Sequence, residues 1–371
     1  MLFRSMVSVI LATLTGLFYG DVYIAVYLIM GSLAGIYSIR QYKDRAAILK
    51  AGFAIWVLNC ICFTGLSVLR QNPVSLAEAM DLAILAFISG ILASTIASMM
   101  LPALEYFFKI VTDIRLLELS NLNDPILRRL SVEAPGTYHH SLMVATLAEN
   151  AAEAIGANPL LVRVSAYYHD IGKIVKPEYF VENQSVDHNK HEQISPRMSS
   201  LVLARHVKDG LQLAKEIGLP QQIKDMIPQH HGTRMMSYFF QKAKERGDMR
   251  NGAVSETDFR YAGPKPQSRE AAIMMMADSV EAASRTLSSP NSSQVKGLID
   301  RLVDGIVSED QFDECNITLK DIRLVKESFF KILAGYFHRR IDYPNYDFSQ
   351  SGENAERRGI QNSDTKQAKT L

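Results

Sequence analysis

The chain is poor in cysteine, with three in 371 residues, and has almost no excess of either charge, with 40 lysines and arginines against 39 aspartates and glutamates. Cys60 and Cys62 sit inside an apolar run and Cys315 is far away, so neither a disulfide framework nor a zinc knuckle is expected, and a reducing compartment fits the soluble part. The near-zero charge balance offers no surface for holding a nucleic-acid polymer by neutralising many phosphates. Period-two alternation of apolar and polar residues is also missing, which excludes a strand-built fold. Charge is unevenly spread. Residues 1–112 carry few ionisable groups, whereas 113–371 carry nearly all the acids and bases and every histidine. The first part reads as membrane and the second as a soluble domain.

Four apolar stretches, at roughly residues 5–20, 22–38, 51–69 and 80–104, approach the ~20 residues a spanning helix needs. The first two meet at Gly20-Asp21, a short turn for two full spans, so a broken or partly re-entrant pair stands as the alternative. A secretory signal peptide competes for the first stretch because Arg4 precedes it, but a second apolar segment follows at once. Arg40, Lys43, Arg45 and Lys50 crowd the connection before the third stretch, which places that loop in the cytoplasm. The loop at Arg70-Gln71-Asn72-Pro73 then faces outward, and the chain beyond about residue 105 returns to the cytoplasm under the same rule. The expected location is the cytoplasmic membrane, multi-pass, with the lipid bilayer as a partner.

From Glu105 onward the apolar spacing through Phe107, Ile110, Val111, Ile114 and Leu117 predicts a helix continuing out of the last span. Further helices are predicted over 137–155, 160–171, 195–217, 220–229, 233–246, 268–288, 291–306 and 318–338, separated by Gly- and Pro-containing breaks. The fold class is therefore all-α: a region of about four transmembrane helices over 1–112 and an all-helical domain over 113–345. Residues 346–371 lack the large apolar groups a core requires and read as a disordered tail. The Met274-Met275-Met276 run reads as helix packing.

Nine histidines cluster in the soluble part. His139 and His140 open one predicted helix, His169-Asp170 close another, His206 lies in a third, His230-His231 end a fourth, and Asp278 sits in a later one. Imidazole with carboxylate suits a transition metal better than calcium or magnesium, and helices of a bundle can project such ligands to one centre. Asp170 could bridge two ions. Two ions about 3.5–4 Å apart can generate a hydroxide nucleophile and clamp the oxygens of a phosphate. A single histidine more often caps a helix or fills a buried hydrogen bond, so the weight lies in the set. His139 and His140 are turned about 100° apart on a helix, so one is a ligand and the other structural. His188 and His191 lie in a polar stretch and read as solvated; His338, beside Arg339 and Arg340, reads as a helix C-terminal cation.

His169-Asp170-Ile171-Gly172-Lys173 carries the HDIG signature, and other segments follow in order: Pro135 to Ser141, Val181 to Gln184, His230-His231-Gly232-Thr233, Gly263-Pro264-Lys265-Pro266 and Ala277 to Ala282. The chain resembles the HD-domain phosphohydrolases, and more narrowly the membrane-bound seven-transmembrane HD family, whose known members are cyclic di-AMP phosphodiesterases. The match covers roughly residues 115–345. The resemblance implies that His140, His169, Asp170 and Asp278 form one metal shell, that His206, His230 and His231 hold a second metal, and that Asp170 is shared. Two divalent transition-metal ions, Mn2+ or Fe2+, are the implied cofactors. The chain departs from its relatives in lacking their first span, large extracytoplasmic domain and full set of later spans, so it is expected to be N-terminally shortened. No Gly-Tyr-Pro segment follows His230-His231, which weighs against the cyclic di-GMP branch.

The expected reaction is hydrolysis of a cyclic dinucleotide, cyclic di-AMP first, to the linear 5′-phosphorylated dinucleotide, with Asp170 and Lys173 in the catalytic centre. Lys173 and Lys176 are expected to contact substrate phosphates, against solvated helix-end lysines as the bland reading. The rivals are a hydrolase of cyclic di-GMP, a linear dinucleotide or a nucleoside phosphate, a non-catalytic nucleotide-binding receptor, and a structural anchor. The intact ligand set disfavours the receptor, and the anchor leaves the histidines unexplained. Association with a second copy of the chain is left open.

Overall fold

The computed structural model describes residues 2–40, 46–69, 71, 75–108, 110–184, 189–245, 255–287 and 290–338. Fourteen α-helices are found among them, with short 3-10 turns and no β-strand; an isolated antiparallel bridge pairs Met235 with Arg260. The all-α expectation holds.

The N-terminal helices are α1 (Leu2–Tyr19), α2 (Val22–Arg40), α3 (Ala46–Leu69) and α4 (Leu76–Phe108). α3 and α4 are long and apolar enough to cross a membrane, and α1 and α2 carry shorter apolar stretches. Asp21 caps α2 by accepting a hydrogen bond from the Tyr23 amide at 2.8 Å, so the short Gly20-Asp21 link joins two separate helices that pack together. The Trp56 indole donates to the Ala83 carbonyl at 2.9 Å and ties α3 to α4. Large apolar side chains face outward: Phe18 is 84% exposed, Leu69 70% and Met99 75%. In water such a surface would be unfavourable by roughly 25 cal/mol per Å². A hydrocarbon surrounding removes that cost. Lys43, Arg45, Arg70, Asn72 and Pro73 lie outside the described residues, as do His188, Arg339, Arg340 and the 346–371 tail.

α4 does not run on as one helix through Leu117. It ends at Phe108, and α5 (Asp113–Leu119) begins afresh with Thr112 as its cap, accepting from the Arg115 amide while its hydroxyl bonds to Glu105. A side-chain oxygen that satisfies a helix N-terminus competes with continued helix, which the apolar spacing alone does not show.

The remaining helices are α6 (Pro125–Glu133), α7 (Pro135–Ile155), α8 (Pro159–Tyr168), α9 (Pro196–Glu216), α10 (Gln221–Gln229), α11 (Ser237–Glu245), α12 (Arg269–Ser284), α13 (Ser292–Ser308) and α14 (Leu319–His338). Three of them start with a capping residue followed by proline: Asp124-Pro125, Asn158-Pro159 and Ser195-Pro196, each cap accepting a backbone amide. Two apolar cores result. One joins α7, α12, α13 and α14 around Met274, Met275, Met276 and Phe329. The other joins α5, α6, α8, α9 and α10 around Leu130, Tyr168 and Ile227. α12 is buried on nearly every side, which is why its methionines sit consecutively rather than at helical spacing.

Candidate metal centre

Elements from both cores converge on one buried cluster. α7 supplies His140, the end of α8 supplies His169 with Asp170 just beyond it, α9 supplies His206, the end of α10 supplies His230 and His231, and α12 supplies Asp278. Helix α8 stops at Tyr168, and the chain tightens into a 3-10 turn over Ile171–Val175 that packs on α9. Gly172 makes this approach possible: a Cβ there would lie 1.9 Å from the His206 carbonyl oxygen. The glycine of the signature thus brings the His169-Asp170 pair against the helix that carries His206.

The ligating atoms fall into two groups, His140 with His169, Asp170 and Asp278, and Asp170 with His206, His230 and His231. Within each group they lie within 4.8 Å of one another, and Asp170 belongs to both. Asp170 Oδ2 is 3.2 Å from His169 Nε2 and its Oδ1 is 3.4 Å from His206 Nε2, so its two oxygens face the two groups. Asp170 Oδ1 and His230 Nε2 are buried without a hydrogen-bond partner, while Asp170 Oδ2 also meets the Lys173 ammonium. Unpaired polar atoms of this kind are costly unless something takes their lone pairs, and imidazole with carboxylate is the donor set of a divalent transition-metal ion. The residues present fit such an ion. His139, the neighbour of His140, is exposed.

Charge is distributed unequally. Burial lowers the pKa of His206, brings His230 down to about 3 with help from His169, and holds His231 well below the usual range with help from His230 and His206. These three are neutral imidazoles with lone pairs to give. Burial opposes charge on His169 too, but Asp170 and Asp278 outweigh it and push the pKa up to about 10. His140 is also raised, since hydrogen bonds to Asp278 and Glu281 overcome its burial. Burial would raise both carboxylates, yet His169 and Lys173 hold Asp170 well below its usual range, and His140 and His169 do the same for Asp278. Metal binding at these imidazoles competes with protons.

Lys173 lies at this centre, although not as a free cation. Its ammonium is 2.7 Å from Asp170 Oδ2 and 2.7 Å from Glu182 Oε1, and it lies over the Phe180 ring. Asp170 and Glu182 raise its pKa against the effect of burial. Glu182 also accepts from the Thr137 hydroxyl, and Asn183 Oδ1 accepts the Thr137 amide at 3.1 Å, which caps the otherwise uncapped start of α7. Gly136 permits this contact, since a Cβ there would meet the Glu182 carbonyl oxygen at 1.8 Å. Lys176, by contrast, is exposed with its ammonium over the Tyr179 ring, and the structure does not bring it to the ligands. His191 corrects the reading of its stretch as solvated: it is 4% exposed, and its Nε2 bonds to the Tyr179 carbonyl.

Two residues at the centre had no role from sequence. Tyr261 stacks on His231 with ring centroids 4.0 Å apart and planes 12° from parallel. Glu281 bonds to His140 Nδ1. Neither belongs to a ligand motif, but Glu281 lies three residues after Asp278, a spacing that puts both on one helix face.

Comparison with known proteins agrees with this geometry. Residues 137–283 match the HD domain model, and residues 3–112 match the model described as 7TM receptor with intracellular HD hydrolase. The cyclic-di-AMP phosphodiesterase PgpH of Bacillus subtilis is 40% identical over 321 residues, which are 86% of this chain and 45% of that protein. Its counterpart from Listeria monocytogenes is 41% identical over 323 residues, 87% of this chain and 44% of that protein. The chain thus spans less than half the length of these relatives. The crystal structure of the L. monocytogenes PgpH HD domain in complex with cyclic-di-AMP is similar with a TM-score of 0.55 and 46% identity, over 59% of this chain and 100% of that one. With the helical architecture, the two matched regions and the converging histidines and aspartates in agreement, the chain belongs to the family of membrane proteins that join a 7TM-type region to an HD hydrolase domain.

Proposed function

We propose that the chain is a membrane-anchored, metal-dependent phosphodiesterase that opens cyclic di-AMP to the linear 5′-phosphorylated dinucleotide. The observation that carries this reading is one fully buried carboxylate, Asp170, whose two oxygens face two separate groups of ligands. His140, His169, Asp170 and Asp278 would hold one divalent ion, and Asp170, His206, His230 and His231 a second. Mn2+ and Fe2+ suit this mixture of imidazole and carboxylate. Two such ions, when bound, supply Lewis acidity to a phosphate and lower the pKa of a water molecule.

The protein's own residues fix the geometry in which that chemistry proceeds. The water oxygen forms a bond to phosphorus, the bond from phosphorus to the 3′ oxygen breaks, and the leaving oxygen takes up a proton, which yields one 5′-phosphate and one 3′-hydroxyl. Asp170 keeps the two ligand groups in register. Lys173, pinned between Asp170 and Glu182, holds a positive charge beside the reacting phosphate and retains a third donor for one of its oxygens. Lys176, exposed over the Tyr179 ring, would reach only the outer part of a bound substrate. The ligands read only phosphate, so the choice of adenine rests on the relatives, named for cyclic-di-AMP, and on the Listeria domain bound to it.

The chain divides near residue 112 into a membrane part and a catalytic part. The basic residues Arg40, Lys43, Arg45 and Lys50 favour a cytoplasmic position for the catalytic part. The test is to incubate the purified full chain in detergent with Mn2+ or Fe2+ and a panel of cyclic dinucleotides, followed by product analysis. Linear 5′-phosphorylated di-adenylate, formed only with added metal and faster than product from cyclic di-GMP, is the expected result. Metal-independent turnover, or turnover of nucleoside phosphates alone, would sink the reading.

A further inference from the structure

One ligand histidine is oriented by a different kind of partner from the others. His169 Nδ1 bonds to the Ala166 carbonyl at 2.8 Å, and His206 Nδ1 bonds to the Leu203 carbonyl, each three residues back on its own helix. His230 Nδ1 has no partner. His140 differs. Its Nδ1 meets the carboxylate of Glu281, which is 4% exposed, and its Nε2 is 2.9 Å from Asp278 Oδ1. Asp278 and Glu281 stand three residues apart on α12, so one helix face grips both nitrogens of the ring. The second oxygen of Glu281 is itself fixed, accepting from Nε of Arg285 at 2.8 Å, with Nη2 of the same guanidinium also 2.8 Å away.

A carboxylate on the outer nitrogen of a ligand histidine does two things. It selects the tautomer that carries its proton on that nitrogen, leaving the inner lone pair for the metal, and it makes the ring a better donor. Backbone carbonyls orient their rings without a full negative charge. The His140 group also contains two carboxylates, Asp278 and the shared Asp170, whereas the other group has only Asp170.

We propose that Glu281 is a positioning residue for His140 and that it makes the His140 side the tighter of the two metal positions, filled first. Arg285 fixes the carboxylate in place. The inference rests on the two-ion reading above and adds an order of filling and a residue that sets it.

The test is equilibrium dialysis of the metal-stripped full chain in detergent against graded Mn2+, with bound metal counted per chain. The wild type should take up two equivalents in two steps. His206→Ala should remove the weaker step and leave the tighter one, which identifies each step with its ligand group. Glu281→Ala should weaken the tighter step about 10–100-fold while the weaker one stays in place. Glu281→Gln, whose amide oxygen can still accept from Nδ1, should lose less than Glu281→Ala. If Glu281→Ala does not fold, Glu281→Gln decides alone: selective weakening of the tighter step supports the proposal, and an unchanged step overturns it. Two unchanged steps in Glu281→Ala, or equal weakening of both with no recovery in Glu281→Gln, would also overturn it. Fewer than two equivalents in the wild type would instead contradict the two-ion reading, and this inference with it.

Discussion

The N-terminal helices and the helices after residue 112 use the same backbone geometry with opposite side-chain placement. In α1 to α4, large apolar groups such as Phe18 and Leu69 face outward and few residues are buried. In α7 and α12 the apolar groups face inward, and Leu147, Met274, Met275 and Met276 are fully buried. The difference is one of surroundings. Helices next to lipid gain little by hiding apolar surface from it, whereas helices next to water gain most of their stability that way. Polar residues follow the reverse logic, and among the described residues many are buried together at the centre around Asp170.

The largest separation of the two regions should come from Asp170→Ala. It should abolish bound metal and phosphodiesterase activity, yet leave the chain in the membrane fraction with unchanged helix content. Retained metal, measured by mass spectrometry of the purified variant, would show that Asp170 is not shared. Gly172→Ala acts on the same centre through the backbone, because it forces the turn after Asp170 away from α9. It should cost about 1–3 kcal/mol in unfolding and lower metal occupancy, and wild-type values in both would refute the close-approach argument.

A paired substitution sharpens the comparison directly. Phe329→Ala empties a fully buried site and should cost about 3–5 kcal/mol, whereas Phe18→Ala, at 84% exposure, should change stability in detergent by less than about 0.5 kcal/mol. Equal effects in denaturant titrations would mean that α1 is packed against protein rather than lipid. Between these two lies Asn158→Ala, which removes the cap of α8 and should cost about 1 kcal/mol while activity persists.

The residues that meet at the centre were legible because the HDIG signature and the segments around it resemble the HD family, while residue chemistry alone left His139 and His140 undecided. Helix positions were legible at Asn158-Pro159 and Ser195-Pro196, where a cap and a proline coincide, but α6, which starts the same way at Asp124-Pro125, was not among the predicted helices. Less was visible where one residue depends on a distant one. Glu182 and Asn183 reach Thr137 across more than forty positions, and nothing local to either segment marks that contact. The stretch holding His191 looked solvated because its neighbours are polar, but the imidazole folds under Tyr179 and Phe239. At Thr112 the apolar spacing continued while a cap ended the helix, so periodicity and capping disagreed and capping prevailed. Glu281 could have been found from its distance to Asp278 had the pair been placed on one helical face.

The most direct test of the shared carboxylate is a crystal structure of the Mn2+-loaded chain with anomalous scattering recorded at the manganese edge. Two peaks should appear, one against His140, His169 and Asp278 and the other against His206, His230 and His231, each touching one oxygen of Asp170. A single peak, or two peaks of which one lacks Asp170, would contradict the account.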